Sequence, residues 1–185
     1  MKKTIFIFLI ILLLFITIYK CFNLEEKILK HFYPIKYEEY VYKYSKELNI
    51  DPLLTLAIIK TESNFSEECV SRSGAVGLMQ IMEETAKEQT TYMGITYYDG
   101  VLKNPEENIK IGLSYFSSLC YHFNNNYILA FAAYNAGIGN VEKWINDGII
   151  TKDGKNTQNI PFKETNMYVR KIIGNYTIYK ELYSY

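Results

Sequence analysis

The stretch that decides the fold is Asp51–Ser63, which reads DPLLTLAIIKTES. Its opening aspartate and proline are typical of a helix start, because the aspartate accepts from free N–H groups and proline at the first helical position loses no hydrogen bond. The residues that follow are nearly all apolar, which predicts a helix inside a protein core. Leu54, Ile58 and Glu62 lie four residues apart and share one face. The inward face of this helix therefore ends in a carboxyl group.

Glu62 is the residue of this helix that a purely structural role explains least well. Burial raises the pKa of a carboxyl group, and the negative end of the helix dipole raises it further. A carboxyl group that stays protonated near neutral pH is what a glycosidic general acid requires. The structural alternative, a glutamate whose side chain reaches solvent at the helix end, stays open on the helix alone.

Helical spacing of apolar residues and capping signals recur along the rest of the chain, whereas no strand-like alternation persists. One predicted helix follows Gly77 and places Gln80 at its start. Another begins at Asn104-Pro105, where Glu107 completes a capping-box pattern. The predicted helices cover 35–48, 52–62, 78–86, 105–123, 127–136, 141–145 and 161 to about 182, with a polar loop over 147–159. The expected fold class is mainly α.

Length and charge restrict the class of protein. The 185 residues suffice for one domain of ordinary size and a short appendage. The formal net charge is zero, and without Lys2, Lys3 and Lys20, which flank an apolar run, 17 positive and 20 negative side chains leave a net charge of −3. This balance argues against a nucleic-acid binder, which would need a basic face to contact phosphates.

The cysteines and histidines do not form a metal-binding pattern. Cys21, Cys69 and Cys120 show no C-x-x-C spacing, and only His31 and His122 accompany them. We therefore expect neither a metal nor another cofactor. An odd number of cysteines argues against a disulfide framework, although one bridge between Cys69 and Cys120 stays open; a role as small apolar core residues is favoured.

The N-terminal segment is predicted to be a membrane anchor. Thr4–Tyr19 contains no charged residue, and a helix of this composition has no polar face for water. A cleaved secretory signal normally has small residues before its cleavage point, and 17–20 offers none, so an uncleaved anchor is favoured over a cleaved signal. Lys2 and Lys3 favour the cytoplasmic side, which would place the rest of the chain outside the cytoplasm.

The expected organisation follows from this segment. Residues 1–20 form the anchor, 21–35 a stalk that ends at Pro34, and 36–185 one helical domain. The expected location is the cell envelope, with a single pass through the cytoplasmic membrane.

Two further segments carry polar side chains suited to a sugar. The first is the glycine-punctuated turn 71–77, SRSGAVG, followed by Leu78-Met79-Gln80; the second is 133–137, AYNAG. Amides and phenols both donate and accept hydrogen bonds, which suits neutral polyols. A phosphate ligand would call for arginines, and the chain has only Arg72 and Arg170.

Four motifs in order resemble those of the soluble lytic transglycosylases, which cleave peptidoglycan and have a goose-type lysozyme fold. They are Glu62-Ser63, Gly77-Leu78-Met79-Gln80, 133–137 and Tyr168, and the resemblance extends over about 36–183. Each motif is weak alone, whereas four in order are specific. The resemblance implies a single lysozyme-like helical domain after the N-terminal transmembrane helix.

The resemblance also implies a single-carboxylate mechanism without a metal. Glu62 would protonate the glycosidic oxygen between N-acetylmuramic acid and N-acetylglucosamine, then take the proton of the muramoyl 6-hydroxyl, which closes a 1,6-anhydro ring. Ser71 would lie near this carboxyl, and Tyr168 would help to orient it. With these two, the residues expected to bind the glycan are Met79, Gln80, Tyr134, Asn135 and Glu164. The implied partners are peptidoglycan strands and the membrane.

Three other interpretations stay open. A hydrolase of the same fold would need a second carboxylate that holds water at about 6.5–9.5 Å from the acid, and Glu164 is the candidate. A wall-binding or assembly module without catalysis is a second alternative. The retained Glu62 argues against it. A helical scaffold near the membrane is a third, and it leaves the glycine-rich turns unexplained.

Overall fold

The computed structural model describes residues 2–183, which form two compact units. In the first unit, the helix α1 covers Lys2–Phe32. Its part Thr4–Phe32 is long and apolar enough to cross a membrane, a property that a signal sequence near an N-terminus shares. The helix continues through the predicted stalk, because no helix-breaking residue intervenes before Pro34, which disfavours helix at the residue that precedes it.

The second unit, Ile35–Tyr183, consists of seven α-helices and two single-turn 3₁₀ helices, Val101–Lys103 and Thr157–Asn159. Within residues 2–183 the only extended pairing consists of two isolated bridges, so the prediction of a mainly α fold is confirmed. The α-helices are α2 Glu38–Glu47, α3 Pro52–Glu62, α4 Glu83–Tyr92, α5 Pro105–His122, α6 Tyr127–Ala136, α7 Ile138–Asn146 and α8 Lys163–Tyr183.

The helix α3 lies in the core of this unit and packs along α8 on one side and against α2 on another. Its start is capped as predicted, since Asp51 accepts a hydrogen bond of 2.8 Å from the Leu53 N–H. Leu56, Ala57 and Ile58 are fully buried, and burying an aliphatic side chain of leucine size contributes about 1.5–3 kcal/mol. This packing holds the C-terminal end of α3, and hence Glu62, in a fixed place.

The prediction of a helix directly after Gly77 is wrong about where that helix begins. Residues 77–81 instead form a turn in which Val76 and Ile81 exchange backbone hydrogen bonds of 3.0 and 3.1 Å. Gly77 and Gln80 both have positive φ, at 80° and 48°, which a right-handed helix does not allow. Consequently α4 begins only at Glu83.

The ends of the other helices agree more closely with the predictions from the sequence. The Asn104 side chain accepts from the Glu107 N–H at 3.1 Å, which caps α5. The helix α6 ends where predicted, and Gly137 follows it with a φ of 84° that only glycine adopts freely. Helix α7 begins three residues earlier than predicted, and α8 begins at Lys163, two residues after Pro161. The cysteines at 69 and 120 are free, so the bridge left open between them is not formed.

A candidate catalytic cleft around Glu62

The last residue of α3, Glu62, lies at the floor of a cleft of about 830 Å³. Burial is the largest influence on its carboxyl group and raises the pKa to about 7. A hydrogen bond from Tyr168 and the charge of Lys171 act in the opposite direction, but they do not cancel the effect of burial. Near neutral pH this carboxyl group is therefore partly protonated and able to give up a proton.

The partner of Glu62 comes from the far end of the chain. Tyr168, on α8, donates its hydroxyl to Glu62 Oε1 at 2.5 Å across 106 positions of sequence. Burial raises the pKa of the Tyr168 phenol well above its ordinary value, so the hydroxyl remains a donor at physiological pH. The close packing of α8 on α3 is what brings these two side chains together.

A second buried phenol lies on the cleft wall. Tyr134, near the end of α6, donates its hydroxyl to the Met79 carbonyl at 2.8 Å. Burial raises the pKa of this phenol well above its usual range as well. Its ring also contacts Tyr115, with 5.2 Å between the ring centroids. The hydrogen bond ties α6 to the turn 77–81, so that the two predicted sugar-binding segments meet.

The turn 77–81 is held by Asn108, a residue that the sequence did not single out. Its buried side chain accepts from the Met79 N–H at 2.8 Å and donates to the Val76 and Leu102 carbonyls at 2.9 and 2.8 Å. A Cβ atom on Gly77 would lie 2.2 Å from Asn108 Nδ2. Glycine is therefore required there both for its φ and for the space that the amide occupies.

The expectation that the Met79 side chain lines the cleft is wrong. This side chain is fully buried and packs against Gly112, where a Cβ atom would approach Met79 Sδ to 2.5 Å. The turn directs residue 79 into the core and residue 80 to the cleft. Gln80 lines the cleft and donates through Nε2 to the Cys69 and Gly77 carbonyls at 3.0 and 2.9 Å.

Seven of the eight side chains predicted for the site line this one cleft: Glu62, Ser71, Gln80, Tyr134, Asn135, Glu164 and Tyr168. The other lining residues are Thr61, Ser73, Ala75, Met82, Met167, Arg170 and Lys171. Of these, only Ser73 and Ala75 lie in a segment that the sequence singled out as suited to a sugar, the turn 71–77. Most of the polar members are hydroxyls and amides, which donate and accept hydrogen bonds with neutral ligands.

The polar loop 71–75 and Asn135 are held by local bonds. Ser71 Oγ accepts from the Ala75 N–H at 2.9 Å, and a hydrogen bond of 3.0 Å joins it to Ser73 Oγ. The Asn135 Oδ1 atom accepts from the Thr165 hydroxyl at 2.6 Å. These contacts fix the positions of groups that face the cleft.

A second hollow, of about 420 Å³, lies beside His122 and Glu142. A hydrogen bond of 2.9 Å joins these two side chains, and both are exposed to solvent. The cleft around Glu62 differs because its carboxyl group is shielded and its pKa is strongly raised. A perturbed carboxyl group in a cleft is a better indication of chemistry than an exposed ion pair.

Comparison with known proteins places the chain in a family. The profile of the family described as "Transglycosylase SLT domain" matches residues 39–156. The soluble lytic murein transglycosylase of Salmonella typhimurium is 36% identical over 161 residues, which are 85% of this chain and 24% of that protein. The membrane-bound lytic murein transglycosylase C of Edwardsiella ictaluri is 37% identical over 120 residues, 57% of this chain and 32% of that protein.

Solved structures show the same likeness. An inactive mutant of the lytic transglycosylase Slt from Pseudomonas aeruginosa matches with a TM-score of 0.77 and 34% identity over 83% of this chain and 25% of its own. The 70 kDa soluble lytic transglycosylase from Escherichia coli gives a TM-score of 0.76 and 32% identity over 84% and 26% of the two chains. This chain thus spans about a quarter of the soluble relatives and solved structures that it matches. On the profile match, the sequence identity and the shared fold, the chain belongs to the SLT transglycosylase family.

Proposed function

We propose that the domain is a peptidoglycan lytic transglycosylase that cleaves the β-1,4 bond between N-acetylmuramic acid and N-acetylglucosamine. The observation that carries the proposal is the shielded Glu62 carboxyl, whose pKa of about 7 lets it act both as an acid and as a base near neutral pH. The membership of the SLT family and the names of the relatives support the same reaction.

In the first step, Glu62 donates its proton to the glycosidic oxygen, and the bond from that oxygen to C1 of the muramoyl residue breaks. The leaving sugar departs as a neutral alcohol, and positive charge develops at C1. The Glu62 carboxylate that results keeps the hydrogen bond from Tyr168, at 2.5 Å in the free protein. A hydrogen bond to the charged form stabilises the carboxylate while it waits for the next proton.

In the second step, the muramoyl 6-hydroxyl attacks C1 and closes the 1,6-anhydro ring. Glu62 takes the hydroxyl proton and so returns to its starting state. The reaction consumes no water, and one carboxyl group serves both steps. We assign substrate binding to the polar groups that surround it on the cleft walls: Ser71, Gln80, Tyr134, Asn135 and Glu164.

A hydrolase is the second candidate, because a second carboxyl group, that of Glu164, lines the same cleft. Glu164 lies exposed in the first turn of α8. Burial, Tyr168 and Lys171 account for the pKa of Glu62, and Glu164 is not among these influences. The hydrolase would use Glu164 to hold a water molecule, whereas the transglycosylase has no need of one.

We further propose that α1 anchors the chain in the cytoplasmic membrane and that the domain Ile35–Tyr183 acts outside the cytoplasm. The apolar length of Thr4–Phe32 supports an anchor, and the name of the Edwardsiella ictaluri relative shows that membrane-bound members of this kind exist. Cell fractionation tests the proposal: the full-length chain should stay in the membrane fraction. A soluble form that begins near residue 21 would contradict it.

The reaction itself is tested by mass spectrometry of purified sacculi digested with the full-length chain. We expect fragments with 1,6-anhydromuramoyl ends, and far fewer such fragments from Glu62→Gln in the same digestion time. Reducing ends instead would support the hydrolase, and the absence of products from a correctly folded protein would support a module that only binds the wall.

A further inference from the structure

A buried polar contact between α3 and α8 has no role in the reaction proposed above. Asn175 Nδ2 donates to Thr61 Oγ1 at 2.9 Å, across 114 positions of sequence. Both side chains are buried, since Asn175 is 7% exposed and Thr61 is 9% exposed. Within Lys163–Tyr183, Asn175 is the one amide among the buried side chains. A buried amide calls for an explanation, because its polar atoms lose the partners that water would supply.

Thr61, which accepts this hydrogen bond, directly precedes Glu62 in the chain. Its hydroxyl group also donates to the Ala57 carbonyl at 2.8 Å, so the single hydrogen of the hydroxyl is used within the domain. The Thr61 carbonyl accepts from Lys171 Nζ at 3.2 Å. Thr61 is among the residues that line the cleft, but its polar groups are bonded to the protein. They therefore hold the end of α3 in place.

The hydrogen bonds that hold this end of α3 come from one face of α8. Tyr168, Lys171 and Asn175 are three and four positions apart, the spacing of neighbours on one helical face. Tyr168 donates to Glu62, and the other two donate to Thr61. Of the three contacts, only that of Asn175 joins two buried side chains. Apolar side chains tolerate small shifts between two helices, whereas a buried hydrogen bond fits one register.

We propose that Thr61 and Asn175 are positioning residues, which hold the last turn of α3 in register with α8 so that Glu62 reaches the glycosidic oxygen. The inference rests on the proposed function, because it takes Glu62 to be the reacting acid. Neither residue touches the reacting atoms. Their effect passes through the backbone, since Thr61 and Glu62 are adjacent. A displacement of a reacting group by about 1 Å can cost about 10²-fold in rate.

The register of α3 also affects the protonation of Glu62. Burial is the largest influence on this carboxyl group and raises its pKa to about 7. The titratable and charged groups around it are Tyr168, Lys171, Arg170 and Glu164 on α8 and Tyr134 on α6. If α3 loses its register, water reaches the carboxyl group and the pKa falls toward the ordinary value. The pair Thr61–Asn175 should therefore influence the pH dependence of the reaction.

The test compares two threonines of α3 in the full-length chain in detergent. Thr61→Val keeps the shape of the side chain and removes the hydroxyl group that Asn175 binds. Thr55→Val is the matched control, because the Thr55 hydroxyl forms a buried hydrogen bond of 2.7 Å with Ser45 on α2. Thr55 lies about 10 Å from Glu62 along the helix axis. Each change removes a partner of a buried polar group, so both should lower the stability of the fold.

We expect Thr61→Val to release anhydro products from sacculi about tenfold more slowly than wild type, and its rate to fall off at a lower pH. Thr55→Val should lose stability but keep the wild-type pH profile. Thr61→Ser, which keeps the hydroxyl group, should restore most of the rate and of the profile. NMR titration of protein with ¹³C-labelled glutamate, assigned with Glu62→Gln, should show the lowered Glu62 pKa in Thr61→Val without any substrate.

A double variant separates the position of Glu62 from the stability of the fold. Thr61→Val combined with Asn175→Leu replaces both polar partners by apolar groups, a change that can be nearly neutral for stability. We expect this double variant to unfold at a higher temperature than Thr61→Val, yet to keep the lower rate and the lowered Glu62 pKa. It also decides the question if Thr61→Val alone does not fold.

A wild-type pH profile and Glu62 titration in the double variant would overturn the proposal. An equal change in Thr55→Val would overturn it too, because the effect would then follow from lost stability and not from the position of Glu62. Failure of the proposed reaction is a separate outcome. If sacculi digested with the wild type carry no anhydro ends, the transglycosylase proposal fails, while the NMR titration of Glu62 still decides this one.

Discussion

Two glutamates of this domain accept the same kind of hydrogen bond, yet their pKa values are shifted in opposite directions. In each case a tyrosine hydroxyl donates to the glutamate: Tyr168 to Glu62 at 2.5 Å, between α8 and α3, and Tyr44 to Glu106 at 2.7 Å, between α2 and α5. The pKa of Glu62 is raised to about 7, whereas the pKa of Glu106 is lowered. We call these two tyrosine–glutamate pairs the cleft pair and the surface pair.

The surroundings of the carboxyl group explain the difference. In both pairs the hydrogen bond from tyrosine lowers the pKa of the glutamate. At the surface, Lys43 adds an ion pair of 3.0 Å to Glu106, and water solvates the charge. In the cleft, burial outweighs both the hydrogen bond and the charge of Lys171. The tyrosine thus positions the carboxyl group in each case, and burial alone decides whether it is an acid at neutral pH.

Replacing the glutamate of each pair should separate the two pairs most strongly in the rate of the reaction. Glu62→Gln keeps the shape of the side chain but removes the proton, and we expect the rate of anhydro-product release from sacculi to fall by about 10²–10⁴-fold. Glu106→Gln, the matched change in the surface pair, should leave the rate unchanged. If both variants lost activity equally, the burial of Glu62 could not be the reason for its catalytic role.

The second effect is on stability, measured by denaturant unfolding at several pH values. A carboxyl group whose folded-state pKa is raised favours the folded state fully below its unfolded pKa of 4.5 and loses this contribution as pH rises through about 7. Glu62→Gln should therefore be more stable than wild type at pH 8, by up to about 3 kcal/mol.

The surface pair should show the opposite sign. The lowered pKa of Glu106 means that its contribution to stability is present above the unfolded pKa and is lost as pH falls through the folded one. Glu106→Gln should consequently be no more stable than wild type at pH 8. A gain in stability for Glu106→Gln as large as that for Glu62→Gln would show that burial does not separate the pairs.

The third effect tests what the tyrosine contributes. Tyr168→Phe removes a hydrogen bond that lowers the pKa of Glu62, so this pKa should rise further above about 7. The fall of the rate at high pH, which follows deprotonation of Glu62, should move upward by the same amount. At the wild-type optimum we expect a loss of about tenfold, because the Glu62 carboxylate is less well stabilised and oriented.

Tyr44→Phe is the control for that change. It should raise the pKa of Glu106 toward the ordinary value and leave the pH profile of the reaction where it was. An unchanged profile in Tyr168→Phe, measured on the same sacculi, would mean that the hydrogen bond to Glu62 is not maintained in solution.

The smallest expected effect concerns Glu164, a carboxyl group that shares the cleft with Glu62 but not its shielding. Glu164→Gln should reduce the rate less than Tyr168→Phe does, by under about tenfold, since a partly exposed contact is worth about 1 kcal/mol. A loss as large as that of Glu62→Gln, together with reducing ends on the wild-type products, would replace the transglycosylase with a two-carboxylate hydrolase.

Local patterns in the sequence were enough for several parts of this molecule. The cap at Asp51, the buried helix α3 and the carboxyl group at its end follow from residues within eleven positions of one another. The same holds for the capped start of α5 at Asn104 and for the end of α6 before Gly137. Capping and helical periodicity act between neighbours in the chain, so the sequence displays them directly.

Tertiary contacts decided the conformation of residues 77–81 and the surroundings of Glu62, which local sequence patterns did not reveal. The turn 77–81 replaces a predicted helix because Asn108, from α5, binds its backbone, and this turn buries Met79 while Gln80 stays at the cleft. The hydrogen bond from Tyr168 to Glu62 joins residues 106 positions apart. Sequence periodicity indicated that Glu62 lies on the inward face of its helix. How deeply its carboxyl group is buried depends on the packing of helices that are distant in the sequence. Burial sets the pKa, because the cost of removing a charge from water depends on all the groups that surround it.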